Sequence, residues 1–249
     1  MDIVIDVGNT SAKVGIVENY SLLETLVFDS QNINKEKLEQ IFKSTMPERV
    51  CYLNVRPLDK EIVQLFQKYS KTIIEFNHTL NLSFHTHYQP VDAIGLDRLA
   101  GVLGAVSLYP EQDLLVIQAG TCITYDLYIK DRGHMGGAIS PGINIRNRGM
   151  NTFTHQLPLV TTEEEDVNEV ISNNTTGSLR SGILNGALYE IEGFIQHCRH
   201  HYSDLKVILS GGDMINFVKK IKSKIFANSN ITLHGLIEIL KLNEQTKHL

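Results

Sequence analysis

Ile3-Val4-Ile5-Asp6-Val7-Gly8-Asn9-Thr10 is an apolar run that ends in a polar residue and a glycine turn, and the same design returns 112 positions later as Leu115-Val116-Ile117-Gln118-Ala119-Gly120-Thr121-Cys122. Each copy reads as a buried strand, one polar residue, a small or apolar residue, a glycine, and then an amide or hydroxyl residue. Each then runs into a second apolar stretch, 13–18 in the first case and 124–129 in the second. One such turn is a common hairpin. Two at matching places indicate an internal repeat, and therefore two similar lobes.

The surrounding pattern agrees. Strands are predicted at 2–7, 13–18, 24–29, 51–53 and 73–74, with helices at 34–45, 57–70 and 94–107. Tyr109-Pro110 ends the last of these. Strands then restart at 114–117, 124–129 and 136–139, followed by a long helix over 176–201, a strand at 206–209 and a helix from about 213. Strands followed by helices, twice over, predict two α/β lobes, 1–110 and 111–249.

Composition narrows the function classes. The 249 residues carry 23 Lys and Arg against 28 Asp and Glu, a formal charge of −5. A phosphate backbone wants a basic surface, so nucleic acid is not the expected partner. Small anions remain open, because backbone N–H groups and a few basic side chains can hold them. Three cysteines, Cys51, Cys122 and Cys198, form no CxxC pair, which suits a reducing cytoplasm. Met1 leads directly into a strand-like segment, so no signal peptide is expected. No apolar run approaches the roughly 20 residues that cross a bilayer, and no membrane partner is expected.

Glycine turns between strands expose backbone N–H groups and let a ligand approach closely. Two such turns facing one another across a cleft can hold a nucleotide's phosphate chain. Asp6 then suits Mg²⁺, which takes oxygen ligands and keeps several waters, and Lys13 returns along the second strand toward a phosphate. The plain hairpin reading of Gly8-Asn9-Thr10 is weakened by the repeat. No Gly-x-x-x-x-Gly-Lys-Ser/Thr loop and no Gly-x-Gly-x-x-Gly occurs, which removes the main support for P-loop and Rossmann readings.

Gly95-Leu96-Asp97-Arg98 opens a helix, where anions are favoured. Asp97 there suits a general base for a hydroxyl, and Arg98 a grip on an acidic substrate group; a helix cap or surface ion pair is the plainer alternative. Ser210-Gly211-Gly212-Asp213 fits either a ligand packed on backbone or a tight strand-to-helix turn. His197, His200 and His201 share a helical face with metal-binding spacing, though a solvated face is the preferred reading. Glu163-Glu164-Glu165-Asp166 reads as a solvent-facing helix start, and Cys122 as a small packing residue.

Taken together, these segments resemble the type III pantothenate kinases over nearly the whole chain. Asp6-Val7-Gly8-Asn9-Thr10 resembles that family's first phosphate motif and Gly120-Thr121-Cys122-Ile123-Thr124-Tyr125-Asp126 its second. Gly95-Leu96-Asp97-Arg98, with Tyr88 upstream, resembles its Gly-x-Asp-Arg motif. Ser140-Pro141-Gly142-Ile143 resembles its Pro-Gly turn, and Asn174-Thr175 with Ser181-Gly182 a segment that reaches the neighbouring subunit's substrate. The resemblance implies two RNase H-like lobes of the actin/hexokinase-like superfamily, a homodimer, and ATP, Mg²⁺ and a monovalent cation (K⁺ or NH₄⁺). It implies phosphorylation of pantothenate to 4′-phosphopantothenate, the first step of coenzyme A biosynthesis. Asp97 would be the base. Tyr88, Gly95, Leu96, Asp97 and Arg98 would hold pantothenate, and Thr175 would reach it from the partner. Asp6-Val7-Gly8-Asn9-Thr10-Ser11-Ala12-Lys13, Gly120 and Thr121 would hold ATP, with Asp6 on Mg²⁺. Gln118 stands where the family carries an Asp that binds K⁺, and a neutral amide there implies a weaker cation site. The alternatives are a nucleotide-binding regulatory protein of the same superfamily without kinase activity, and a kinase for another small hydroxyl acceptor.

Overall fold

The computed structural model describes residues 1–162 and 170–245. It groups into two compact units. The first holds Met1–Glu111, Ile129–Gly136 and the segment from Asn230 onward; the second holds Gln112–Tyr128 and Gly137–Ser229.

The first unit is built on a five-stranded sheet ordered β3-β2-β1-β4-β5, with β1 at Asp2–Val7, β2 at Ser11–Glu18, β3 at Ser21–Asp29, β4 at Arg49–Asn54 and β5 at Thr72–Glu75. β1 is antiparallel to β2 and parallel to β4. It is buried along its length except at Asp6, as expected of a central strand covered on both faces. Alternation sends Ile3, Ile5 and Val7 to one face, against Leu38 and Phe42 of α1 (Lys35–Thr45) and Phe66 of α2 (Lys60–Tyr69). Val4 goes to the other face, against Leu99 and Leu103 of α3 (Leu96–Leu108) and Leu236 and Leu240 near the C-terminus. Asp6 shares Val4's parity and therefore belongs to the α3 side.

The second unit repeats the plan. Its sheet has the order β10-β9-β6-β7-β8, from β6 (Leu114–Ala119), β7 (Cys122–Ile129), β8 (Gly133–Pro141), β9 (Lys206–Ser210) and β10 (Phe226–Ala227). β6 occupies β1's place, antiparallel to β7 and parallel to β9. α4 spans Ile143–Phe153 and α5 spans Thr175–His201. Leu179, Ile183, Ala187, Ile191 and Ile195 recur every fourth residue on α5 and meet Leu115, Ile117 and Ala119 of β6. The sequence repeat is thus a repeat of topology.

Two elements depart from the sequence reading. The helix expected from about 213 is only a 3₁₀ turn and the short α6 (Ile215–Val218), and the long helix of that region is α7 (Ile231–Gln245). α7 packs along α3 in the first unit so closely that a Cβ on Gly104 would lie 1.9 Å from the Ile231 carbonyl oxygen, and one on Gly235 would lie 2.0 Å from that of Ala100. Arg49 fastens the same helix. Its guanidinium grips the Asp2 carboxylate at 2.6 Å and reaches the Leu240 carbonyl at 3.5 Å. α4 was not predicted at all. The acidic run 163–166 lies outside the described residues. No helix among the described residues is long and apolar enough to cross a membrane.

Candidate functional site

The first unit gathers the charged candidates. Asp6 stands at the end of β1 with Lys13 directly opposite it on β2. Asp97 lies in the first turn of α3, and the Thr232 hydroxyl at the start of α7 hydrogen-bonds the Asp6 carboxylate. Burial pushes the Asp6 carboxyl up to about 7; Lys13 pulls it back, the Asp97 charge adds to the rise, and Thr232 lowers it slightly. Burial likewise lowers the Lys13 ammonium, against the attraction of Asp6. Two carboxylates that repel each other beside a partly desolvated lysine make an uncommon arrangement for a structural role.

The glycine turn after β1 is closed by Gly8 N–H donating to the Ser11 carbonyl at 3.1 Å, which leaves Asn9 and Thr10 exposed. Val7 and Ala12 are buried. They face the core and hold the turn, so the groups this segment presents are Asp6, Asn9, Thr10 and Lys13. Gly95 caps α3, and Asp97 Oδ1 accepts from the Arg98 backbone N–H at 2.9 Å. A Cβ on Gly95 would meet that carboxylate oxygen at 2.6 Å, so glycine leaves Asp97 room to turn back over the helix end. Arg98 is only 4% exposed, and its guanidinium lies 5.3 Å from the centre of the Tyr88 ring. Tyr88 in turn stacks on the buried His134 at 6.5 Å and 9°, and His134 Nδ1 bonds the Thr86 hydroxyl at 2.8 Å. Tyr88, Gly95, Leu96, Asp97 and Arg98 are therefore one neighbourhood.

The second unit holds Gln118, Gly120 and Thr121. Gln118 is half-buried on β6, in register with Thr124 on β7 and Ser210 on β9. The Thr124 hydroxyl is buried without a hydrogen-bond partner among the described residues. Gly120 N–H closes its turn on the Cys122 carbonyl at 2.9 Å, and a Cβ at Gly120 would meet none of the described residues within 4 Å. Gly142 underlies this turn: its N–H donates to the Thr121 carbonyl at 3.1 Å, and a Cβ there would lie 2.0 Å from the Gly120 carbonyl oxygen. Ser210-Gly211-Gly212-Asp213 follows β9, and burial raises the Asp213 carboxyl. Thr175 is the exposed first residue of α5, after the Asn174 cap, and lines a hollow of about 580 Å³ with Met150, Leu157 and Ser178. The ring nitrogen of His201 bonds the His197 carbonyl at 3.0 Å, and the described residues contain no group of three or more His, Cys, Asp or Glu able to hold a metal.

Sequence reasoning missed Thr232. Nothing around it marks a site, because its meeting with Asp6 depends on how α7 returns to the first unit. It also passed over Arg146 and Glu190, which hold the Pro-Gly turn and are described below.

Two mixed five-stranded sheets of matching order, flanked by helices, define the actin/hexokinase-like fold. A Campylobacter jejuni protein described as a Baf family transcriptional activator shares it at a TM-score of 0.61 and 22% identity, over 98% of this chain and 99% of that one. A Listeria monocytogenes protein described as an N-acetylmannosamine kinase shares it at 0.52 and 12%, over 98% and 99%. The family model for type III pantothenate kinase matches residues 2–197. A type III pantothenate kinase of Flavobacterium johnsoniae is 36% identical over 236 residues, 95% of this chain and 96% of that relative. This chain belongs to the type III pantothenate kinase family.

Proposed function

We propose that this chain transfers the γ-phosphoryl group of ATP to the hydroxyl of pantothenate, giving 4′-phosphopantothenate for coenzyme A biosynthesis, and that it does so as a cytoplasmic homodimer. The observation that carries the reading is the meeting of Asp6, Lys13 and Asp97 at one end of the first sheet. Phosphoryl transfer needs positioning and charge compensation more than covalent help. A carboxylate for the metal, a cation for the phosphates and a second carboxylate for the hydroxyl proton meet that need.

Asp97 accepts the hydroxyl proton and orients the oxygen for in-line attack. Arg98, backed by Tyr88, holds the pantothenate carboxylate, and Thr175 of a second copy completes that pocket. In the first unit the exposed amide and hydroxyl of Asn9 and Thr10 and the Lys13 ammonium bind phosphate, and in the second the backbone of Gly120 and Thr121 does so.

Asp6 fits Mg²⁺: its half-buried carboxylate faces a like charge, which a divalent cation would relieve, and Mg²⁺ would take its other oxygens from phosphate and water. When bound, Mg²⁺ neutralises charge building on the phosphates. Gln118 fits a monovalent cation, since a neutral carbonyl oxygen there is in register with the Thr124 hydroxyl, which has no hydrogen-bond partner among the described residues.

The test is direct. The protein is incubated with ATP, Mg²⁺, K⁺ and pantothenate, and ADP and phosphopantothenate are measured by coupled assay and mass spectrometry. Equal amounts of both products are expected. Nucleotide hydrolysis without phosphopantothenate, or no nucleotide binding, refutes the reading.

A further inference from the structure

In the second unit one carboxylate collects donors from three elements. Glu190, near the middle of α5, accepts on Oε1 from the Tyr125 hydroxyl of β7 at 2.8 Å and from the Ser140 hydroxyl of β8. Its Oε2 pairs with Arg146 Nη2 of α4 at 2.6 Å. The Arg146 side chain is 19% exposed and that of Glu190 27%, so the pair is shielded from much of the screening that makes surface ion pairs weak. Burial works against the charge, yet the bonds from Ser140, Arg146 and Tyr125 hold the Glu190 carboxyl below its ordinary range. Tyr125 is itself fixed by stacking on Phe194 at 4.0 Å, one helical turn beyond Glu190.

Arg146 has a second bond. Its Nε donates to the Pro141 carbonyl at 2.7 Å. Glu190 therefore holds Pro141-Gly142 from two sides, through Ser140 before it and through Arg146 after it. Gly142 is the residue whose N–H meets the Thr121 carbonyl and whose missing Cβ lets the Gly120–Thr121 backbone sit against it. Had the requirement been cohesion alone, apolar side chains would serve, since a part-buried ion pair replaced by well-packed apolar groups is often neutral or stabilising. What the charged network adds is a fixed geometry.

We propose that Glu190 is a positioning residue for the nucleotide: through Arg146 and Ser140 it fixes the Pro141-Gly142 turn on which the Gly120–Thr121 phosphate turn rests. The inference rests on reading Gly120–Thr121 as part of an ATP site. Glu190→Gln keeps the side chain's shape and removes the charge that Arg146 pairs with. Arg146→Lys keeps a charge but loses the planar fork whose Nε and Nη2 reach Pro141 and Glu190 from separate atoms.

The experiment measures ATP binding by calorimetry and both Michaelis constants, on the full chain and each variant, with circular dichroism to confirm folding. Losing a charge-assisted bond in the support should weaken ATP binding by roughly tenfold. The ATP KM should rise with it while the pantothenate KM stays within about twofold. The double variant should be no worse than the worse single one, because the two residues act as a unit. Parallel loss for both substrates marks a merely structural role and overturns the inference. So does unchanged ATP binding in Arg146→Lys, the milder variant, which keeps the proposal testable if Glu190→Gln does not fold. A wild-type chain that binds no ATP refutes the kinase reading together with this one. Wild-type binding and turnover with unaltered variants refute this one alone.

Discussion

Replacing Asp6 with Asn should make the protein more stable, and the gain should grow with pH. Burial raises the Asp6 carboxyl in the folded chain to about 7 from an ordinary 3.8. Below the unfolded pKa both states are protonated, and the carboxyl costs nothing relative to the amide. Between the two pKa values the unfolded chain ionises and the folded chain does not, so stability falls with each pH unit by about 1.4 kcal/mol. Above about 7 the penalty is complete, on the order of 4 kcal/mol before hydration of a half-buried group reduces it, the pull of Lys13 being already contained in the value of about 7. A measured value of about 2–3 kcal/mol is expected, or roughly 4–10 °C in Tm for a chain of this size. The assay is thermal unfolding of wild type and Asp6→Asn from pH 4 to 8.5 without nucleotide. Near pH 4 the two should melt together; by pH 8 the variant should melt higher. The order should reverse with saturating Mg²⁺ and ATP, which favour the ionised carboxylate. A difference that does not change with pH, or a variant less stable at pH 8, would refute the reasoning.

Asp97→Asn should lower the phosphoryl-transfer rate by about 10²–10⁴-fold, the usual span for a general base, while pantothenate still binds by calorimetry. Gln118→Asp should lower the K⁺ needed for half-maximal activity by roughly tenfold or more, because a carboxylate beside a cation is worth several times a neutral carbonyl; identical K⁺ titrations at fixed ionic strength would remove Gln118 from the cation site. Thr175→Ala and Asp97→Asn should each be impaired alone, yet recover activity when mixed and re-assembled, since a mixed dimer holds one site free of both changes. A mixture no better than the average of its parts would mean that Thr175 does not act across subunits.

The fold was legible where the code is local. The buried run of β1, its copy in β6 and the fourth-residue apolar stripe of α5 announce themselves, as do Gly95 and Asp97 at a helix start. α4 escaped because only Ile143 and Asn147 of its residues are buried, which leaves no apolar stripe to read. α7 has the stripe, with Leu233, Leu236, Ile237 and Leu240 buried. Its partner is set by the fit of Gly104 against Ile231, which no local pattern encodes. The same limit hid Thr232 and Glu190. Each matters through a residue distant in the chain.

The placement of Thr232 also shows why Asp6 can be tuned at all. Asp6 is fixed by β1, Asp97 by α3 and Thr232 by α7, and the close backbone contact of α3 with α7 sets the last two relative to each other. Moving α3 would change the charge that raises the Asp6 carboxyl, and moving α7 the hydroxyl that lowers it. A carboxylate poised near 7 is thus a property of three packed elements rather than of the strand that carries it. α7 lies beyond the stretch 2–197 matched by the family model, yet it supplies one of the groups that bond Asp6. Its packing has two consequences that oppose each other. It helps desolvate Asp6, which costs stability at neutral pH, and it leaves a carboxylate whose charge a divalent cation would compensate. On the proposed reading, binding of Mg²⁺ with its nucleotide would recover the stability given up at Asp6, and the cost would then be coupled to nucleotide affinity.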